Sequence, residues 1–311
     1  MQYAKFRICW YNLLAMLQAN LTGAVPETIA TRLGTVEYAR SGEGPALLVL
    51  HGARGGWDQG MMLARSAVGV PDFDVIAMSR PGYLGTPLER GRTPRQQADL
   101  CAALLDSLGV AEAAVAAASG GGPCALQFAL HYPTRCRALV MIASCSASIT
   151  RRVPWWFHLL LRIALLRTVA ARMRRKMEQH PEAAARRFIP DATLRAQTLS
   201  DPEAGPILRE FQVSLMDHFA ERLPGIKNDI TQVCLPFAYP VDKIQVPALV
   251  VHGTADEVIP FAQAEGLAAR LPAAELVAIP GGRHVILFTH LHLIRPQVRQ
   301  FLARQFHINR P

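Results

Sequence analysis

AAVAAASGGGPCALQFALHYP, residues 113–133, decides how the rest of the chain is read. Six small apolar residues, Ala113 to Ala118, run unbroken to Ser119 and three glycines. A helical stretch then spans about 120–132 and stops before Pro133. A short apolar run, a glycine turn and a helix give strand, turn and helix in that order. On such a turn the Ser119 hydroxyl stands free above the strand end. The residues two before and two after it must be small, because strand and helix approach closely there. Here they are Ala117 and Gly121. The helix N-terminus behind Ser119 also offers partial positive charge to a developing oxyanion. A phosphate-binding glycine loop is the rival, but it needs a Lys-Ser/Thr pair and Pro123 occupies the helix start. A glycine turn without chemistry is the plain alternative.

Working outward, the same rhythm repeats. Strands are expected at VEYARSG (36–42), ALLVL (46–50), DVIAM (74–78), ALVMIA (138–143), ALVVH (248–252) and ELVAI (275–279). Helices are expected at 94–108, 260–271 and 285–304. Uniformly apolar strands alternating with helices indicate an α/β fold with a doubly wound, mostly parallel sheet. The segment from 146 to 245 breaks the rhythm. It is helical in character and basic, and reads as a helical cap inserted between two parts of a core, 25–145 and 246–311. Residues 1–24 read as an N-terminal extension. Lys5 and Arg7 precede ICWYNLLAML, which suits an amphipathic helix better than a cleaved signal peptide, and is too short to span a membrane.

The net charge of +9 is concentrated. Residues 145–190 hold ten Lys or Arg against two Glu. No nucleic-acid motif accompanies them, and the apolar run Trp155 to Leu166 is a poor phosphate-tracking surface. A solvated helix face is expected, with peripheral membrane contact through the basic cap or the N-terminus as the other reading. Half the residues are hydrophobic, which excludes a disordered chain. The six cysteines (9, 101, 124, 136, 145, 234) form neither C-x-x-C nor a zinc spacing, and a reduced, cytoplasmic setting is expected.

Further motifs follow in a fixed order: HGARGGW (51–57), SRPGYLGTP (79–87), ASGGGP (118–123), HGTADEVIP (252–260) and PGGRH (280–284). Together they resemble the α/β-hydrolase family over about 46–145 and 246–304. The family usually writes its nucleophile turn G-x-S-x-G, and Ala117 takes the first place here. The resemblance implies a Ser…Asp…His triad of Ser119, Asp256 and His284. The other known place for the acid is Ser144-Cys145-Ser146, which has no carboxylate. Glu257 is expected to face solvent. The resemblance also implies that the backbone N–H groups of Ala53 and Gly120 form an oxyanion hole, and that no metal or organic cofactor is needed. His51 is expected to be structural. Arg54 reads as a solvated loop residue or as a contact for an anionic substrate group. Trp155 and Trp156 either roof an apolar substrate pocket or pack the cap to the core.

The implied activity is that of a serine hydrolase, most simply a carboxylic-ester hydrolase acting on a small or medium apolar ester through an acyl-enzyme. A C–C bond hydrolase, an amidase or peptidase, and a perhydrolase share the fold. A non-catalytic ligand-binding protein or a membrane-surface protein is the reading from another class.

Overall fold

A run such as ALLVL can bury both of its faces only inside a sheet covered twice. The computed structural model describes residues 24–69, 72–149, 167–235 and 237–307. Its strands are β1 Pro26–Thr31, β2 Gly34–Ser41, β3 Ala46–Leu50, β4 Asp74–Met78, β5 Ala113–Ala118, β6 Cys136–Ile142, β7 Ala248–Gly253 and β8 Ala274–Ile279. They form one sheet in the order β1-β2-β4-β3-β5-β6-β7-β8. The β1–β2 and β2–β4 pairs are antiparallel and the rest are parallel. The order reverses around β3, which pairs with β4 through Leu48↔Ile76 and with β5 through Leu48↔Val115. A crevice opens beyond the strand ends at such a point, and open α/β sheets place their ligands there.

Alternate residues of each strand face opposite layers. Leu48, Leu50, Ile76 and Met78 pack under helices α2 (Pro94–Ser107), α3 (Gly122–His131) and α9 (Phe261–Arg270). Leu47, Val49, Val75 and Ala77 pack under α1 (Trp57–Ala67) and α11 (Leu291–Phe306). Thr93 caps α2 through a capping box with Gln96, so the N–H groups of both residues have acceptors.

Two elements were not expected from the sequence. Strand β1 (PETIAT) is a partly exposed edge with no apolar run. Helix α1 buries Gln59, Gly60, Met61, Met62, Leu63 and Ala64 in succession, with polar Asp58, Gln59, Arg65 and Ser66 on one side. The helix expected over 285–304 divides into α10 (Ile286–Thr289) and α11, with His290 (φ −130°) between them.

Between β6 and β7 lie five helices among the described residues: α4 Arg167–Gln179, α5 Pro181–Ala185, α6 Ala192–Ser200, α7 Ala204–Ser214 and α8 Phe219–Cys234. They seat on the core through an apolar cluster that joins Ile189, Ile207 and Leu208 to Met62, Phe288 and Leu291. Ion pairs cross the same seam, Arg222–Asp58 at 2.6 Å and Arg65–Glu210 at 2.9 Å. Trp155 and Trp156, and the helix expected within 1–24 up to residue 23, lie outside the described residues. Among the described residues no helix is long and apolar enough to cross a membrane.

Candidate active site

The chain turns sharply after β5. Ser119 has φ +49°, a left-handed conformation that an L-residue holds only under constraint from its surroundings. That constraint is visible. The Ser119 carbonyl accepts the Cys145 N–H at 3.0 Å, and Ser144 Oγ donates to the Ala117 carbonyl at 2.9 Å. The Ser144-Cys145 stretch, which lacks a carboxylate, therefore braces the turn. A Cβ at Gly121 would lie 2.6 Å from the Leu50 carbonyl oxygen, and one at Gly122 would collide with the Cys145 carbonyl. Only glycine lets α3 start this close to β3 and β6.

The loops after β7 and β8 carry the partners. His284 Nδ1 lies 2.8 Å from Asp256 Oδ2, and His284 Nε2 lies 3.1 Å from Ser119 Oγ. The structure thus brings Ser119, His284 and Asp256 into one chain of hydrogen bonds. With the ring proton on Nδ1, Nε2 is left to accept from the serine hydroxyl. Burial by itself would raise the Asp256 pKa, but hydrogen bonds from His252 and His284 and from the Ile259 N–H hold it well below the usual carboxylate range. Asp256 Oδ1 accepts the Val258 and Ile259 N–H groups at 2.8 and 3.0 Å. Glu257 points outward to Arg283.

His252 was missed in the sequence. Its Nε2 lies 3.2 Å from Asp256 Oδ2 and 3.0 Å from the Ile259 carbonyl. The carbonyl can only accept, so Nε2 carries the proton and shares it with the carboxylate. The signal was available, since ALVVH places a His four residues before Asp256, but a buried strand-end His reads equally well as structural.

Ala53 and Gly120 also meet. An ideal Cβ on Gly120 would sit 3.2 Å from the Ala53 nitrogen, and one on Gly52 would sit 3.6 Å from Ser119 Oγ. Gly120 is the second residue of the helical turn Ser119–Gly121, so its N–H has no partner within the turn.

Arg54 corrects one expectation, because it is half-buried against the cap rather than free in solvent. It has φ +69° and its Nη2 donates to the Leu215 carbonyl of the cap at 3.3 Å, while Nε is sealed from solvent with no acceptor among the described residues. Burial and the nearby Arg187 lower its pKa to about 10. Among the described residues it has no carboxylate partner, and 1–23 and 150–166 contain no Asp or Glu.

Beside it lies a buried network that local sequence could not reveal. Asp229 on α8 accepts from Arg80 Nη1 at 3.0 Å, from Arg80 Nη2 at 2.6 Å and from the Tyr83 hydroxyl at 2.6 Å. His51 is structural here. Its Nε2 accepts the Arg80 N–H at 2.9 Å, and its other nitrogen lies 2.6 Å from the Gly52 carbonyl. Burial, the adjacent Arg80 cation and Arg222 push its pKa well down, opposed only by the Gly52 contact. A cavity of about 220 Å³ opens at the cap–core seam between Phe188, Ile189 and Leu194 on one side and Ala255, Arg283 and Val285 on the other.

A family model described as alpha/beta hydrolase fold matches residues 45–291. An alpha/beta hydrolase fold protein from Nakamurella multipartita superposes with a TM-score of 0.75 at 34% identity, over 90% of this chain and 98% of that one. The chain is 30% identical to a poly(3-hydroxyalkanoate) depolymerase of Ectopseudomonas oleovorans, over 76% of this chain and 77% of the relative. It is 26% identical to a pimeloyl-[acyl-carrier protein] methyl ester esterase of Aromatoleum aromaticum, over 79% of this chain and 93% of the relative.

Proposed function

The chain belongs to the alpha/beta hydrolase fold family, and from that premise we propose that it is a serine carboxylic-ester hydrolase with Ser119 as nucleophile, His284 as base and Asp256 as the acid that orients the base. The observation that carries this reading is the imidazole of His284 spanning Asp256 at 2.8 Å and Ser119 at 3.1 Å.

In this reading the Ser119 hydroxyl attacks the ester carbonyl as His284 Nε2 takes its proton. The carbonyl oxygen becomes an oxyanion against the Ala53 and Gly120 N–H groups, fixed donors that need no reorganisation during the reaction. His284 returns the proton to the leaving alkoxide, and the acyl-enzyme forms. Water then attacks, gives a proton to His284, and the acid leaves as Ser119 is reprotonated. Asp256 stabilises the imidazolium and holds the ring tautomer. The second hydrogen bond from His252 keeps the carboxylate from rotating away.

The substrate class is an apolar ester of small or medium length. The similarity to a poly(3-hydroxyalkanoate) depolymerase makes short oligoesters of 3-hydroxy acids the first substrates to test. Arg54 supports an acceptor oxygen on the substrate, because its buried Nε lacks one among the described residues. The deciding experiment is labelling with a fluorophosphonate, followed by turnover of p-nitrophenyl esters of rising acyl length. Covalent mass added at Ser119 and turnover of these esters support the reading. An unlabelled wild-type protein that turns over none of them overturns it.

A further inference from the structure

An oxyanion hole works only if its N–H groups are aimed before the charge develops, so whatever fixes the peptide units around Ala53 governs its use. A trans peptide unit is planar, with its C=O and N–H pointing in opposite directions. Holding the Gly52 carbonyl therefore aims the Ala53 N–H. That carbonyl has three partners: the His51 ring at 2.6 Å, Arg80 Nη2 at 3.3 Å and the Gly55 N–H at 3.3 Å. Arg80 also donates from Nε to the His51 carbonyl at 2.9 Å, one peptide earlier. On the far side of Ala53, the Arg54 N–H points at the Tyr83 hydroxyl at 3.4 Å.

Arg80 and Tyr83 are both fully buried. Both converge on one carboxylate, Asp229, which belongs to the cap helix α8 and not to the core. The helix can come this close because Gly225 packs against the Tyr83 ring, where a Cβ would collide, and its N–H donates to the Gly82 carbonyl at 2.7 Å. Asp229 Oδ2 also lies only 3.3 Å from where a Gly120 Cβ would be. A bare negative charge there would oppose an oxyanion, and the bidentate Arg80 neutralises it.

We propose that Asp229 is a positioning residue of the oxyanion hole: through Arg80 and Tyr83, the cap aims the two peptide units that flank Ala53. The proposal rests on the reading of Ser119 and Ala53 given above. It makes the cap part of the catalytic apparatus even for a substrate too small to touch the cap.

The test uses Asp229→Asn, which keeps shape and one acceptor oxygen, and Tyr83→Phe, which removes a single hydroxyl and leaves the ion pair. With p-nitrophenyl acetate, Asp229→Asn should lower kcat by roughly 10- to 100-fold, a fraction of the loss when an oxyanion donor is deleted, with KM changed less than about threefold. Tyr83→Phe should lower it by about 3- to 10-fold. A trifluoromethyl ketone, whose serine adduct carries an oxyanion, should lose affinity by the same factors, while the matching methyl ketone should not. A cap that merely shapes the pocket would alter both ketones alike. The second readout needs no turnover: the amide resonances of Ala53 and Arg54 in selectively ¹⁵N-labelled, ligand-free protein should shift in both variants. Unchanged amide resonances, or a wild-type ratio of the two ketone affinities in folded variants, overturns the proposal. Shifted amides in a protein that hydrolyses no ester would keep the positioning role and discard the esterase reading.

Discussion

At the turn after β5 there is no room for a methyl group on Gly121 or Gly122, whereas α4 in the cap leaves Arg172, Arg175 and Lys176 exposed to solvent. The core holds Ser119 and Asp256 by backbone contacts with no slack: a strained Ser119, carbonyls against glycines, and a carboxylate held by two main-chain N–H groups. The cap is held mostly by side chains, in a few apolar clusters and the ion pairs Arg222–Asp58, Arg65–Glu210 and Arg80–Asp229, with backbone bonds to the Tyr83 loop at Gly225–Gly82 and Glu221–Leu84. Backbone packing tolerates little substitution, while side-chain docking can be rebuilt with different residues. In the proposed reading the chemistry sits in the first region, and the second is where substrate preference can vary at low structural cost.

The sharpest way to break this comparison is at the nucleophile. Ser119→Ala should lower kcat by about 10⁴–10⁶ and abolish fluorophosphonate labelling, with the fold kept. A variant that labels like wild type would move the chemistry out of the core turn altogether.

Next in size is Asp256→Asn, expected to cost on the order of 10⁴ in kcat, because the amide presents the wrong group to His284. Its stability has a pH signature. The folded Asp256 carboxyl titrates well below the unfolded value of about 3.9, so its stabilisation is present above that value and is lost as pH falls through the folded one. The Tm gap between wild type and variant should therefore narrow from pH 6 toward pH 3. A gap constant with pH would mean that the carboxylate charge contributes nothing to the fold.

Gly122→Ala probes the core without touching a reactive group. Gly122 has helical φ and ψ (−55°, −50°), where alanine is favoured intrinsically by about 1 kcal/mol. The collision with the Cys145 carbonyl should outweigh that and destabilise the protein by about 3 kcal/mol in urea unfolding. A neutral result would show that the turn has slack after all.

The smallest effect is expected on the cap surface. Reversing Arg175 and Lys176 to Glu should change unfolding free energy by less than about 0.5 kcal/mol and leave turnover of short soluble esters intact. If the exposed basic face also attracts anionic membranes, vesicle binding by wild type should weaken with salt and vanish in this variant. A loss of ester turnover in the double reversal would erase the proposed division between core chemistry and cap surface.

Much of the core was legible in the chain because its signals are local. β5 is a strand at Ala113–Ala118, and β3, β4, β7 and β8 fall on or within a residue of the apolar runs that announced them. Helix α1 was not legible, because it follows the glycine-rich HGARGGW and carries Gly60 inside it, which together read as loop. Arg54 misled, because a charged residue in a glycine-rich loop reads as solvated, while its cap partners, Leu215 and Arg222, are distant in sequence.

What the sequence by itself determined is the order of strands and helices and the order Ser119, Asp256, His284. The first follows from periodicity and turn chemistry within about ten residues of each position, and the second is what the resemblance of ASGGGP, HGTADEVIP and PGGRH to the α/β-hydrolase family implies. Tertiary structure alone decided that His252 and His284 share the Asp256 carboxylate, that Arg54 is half-buried with no acid beside it among the described residues, and that the cap carboxylate of Asp229 meets Arg80 and Tyr83. The Arg80–Asp229 and Tyr83–Asp229 contacts join residues 149 and 146 positions apart. Residues so far apart leave no mark on local pattern. An Asp in an amphipathic helix looks the same in sequence whether it faces water or a buried guanidinium, and only the packing of that helix on the core settles which it meets.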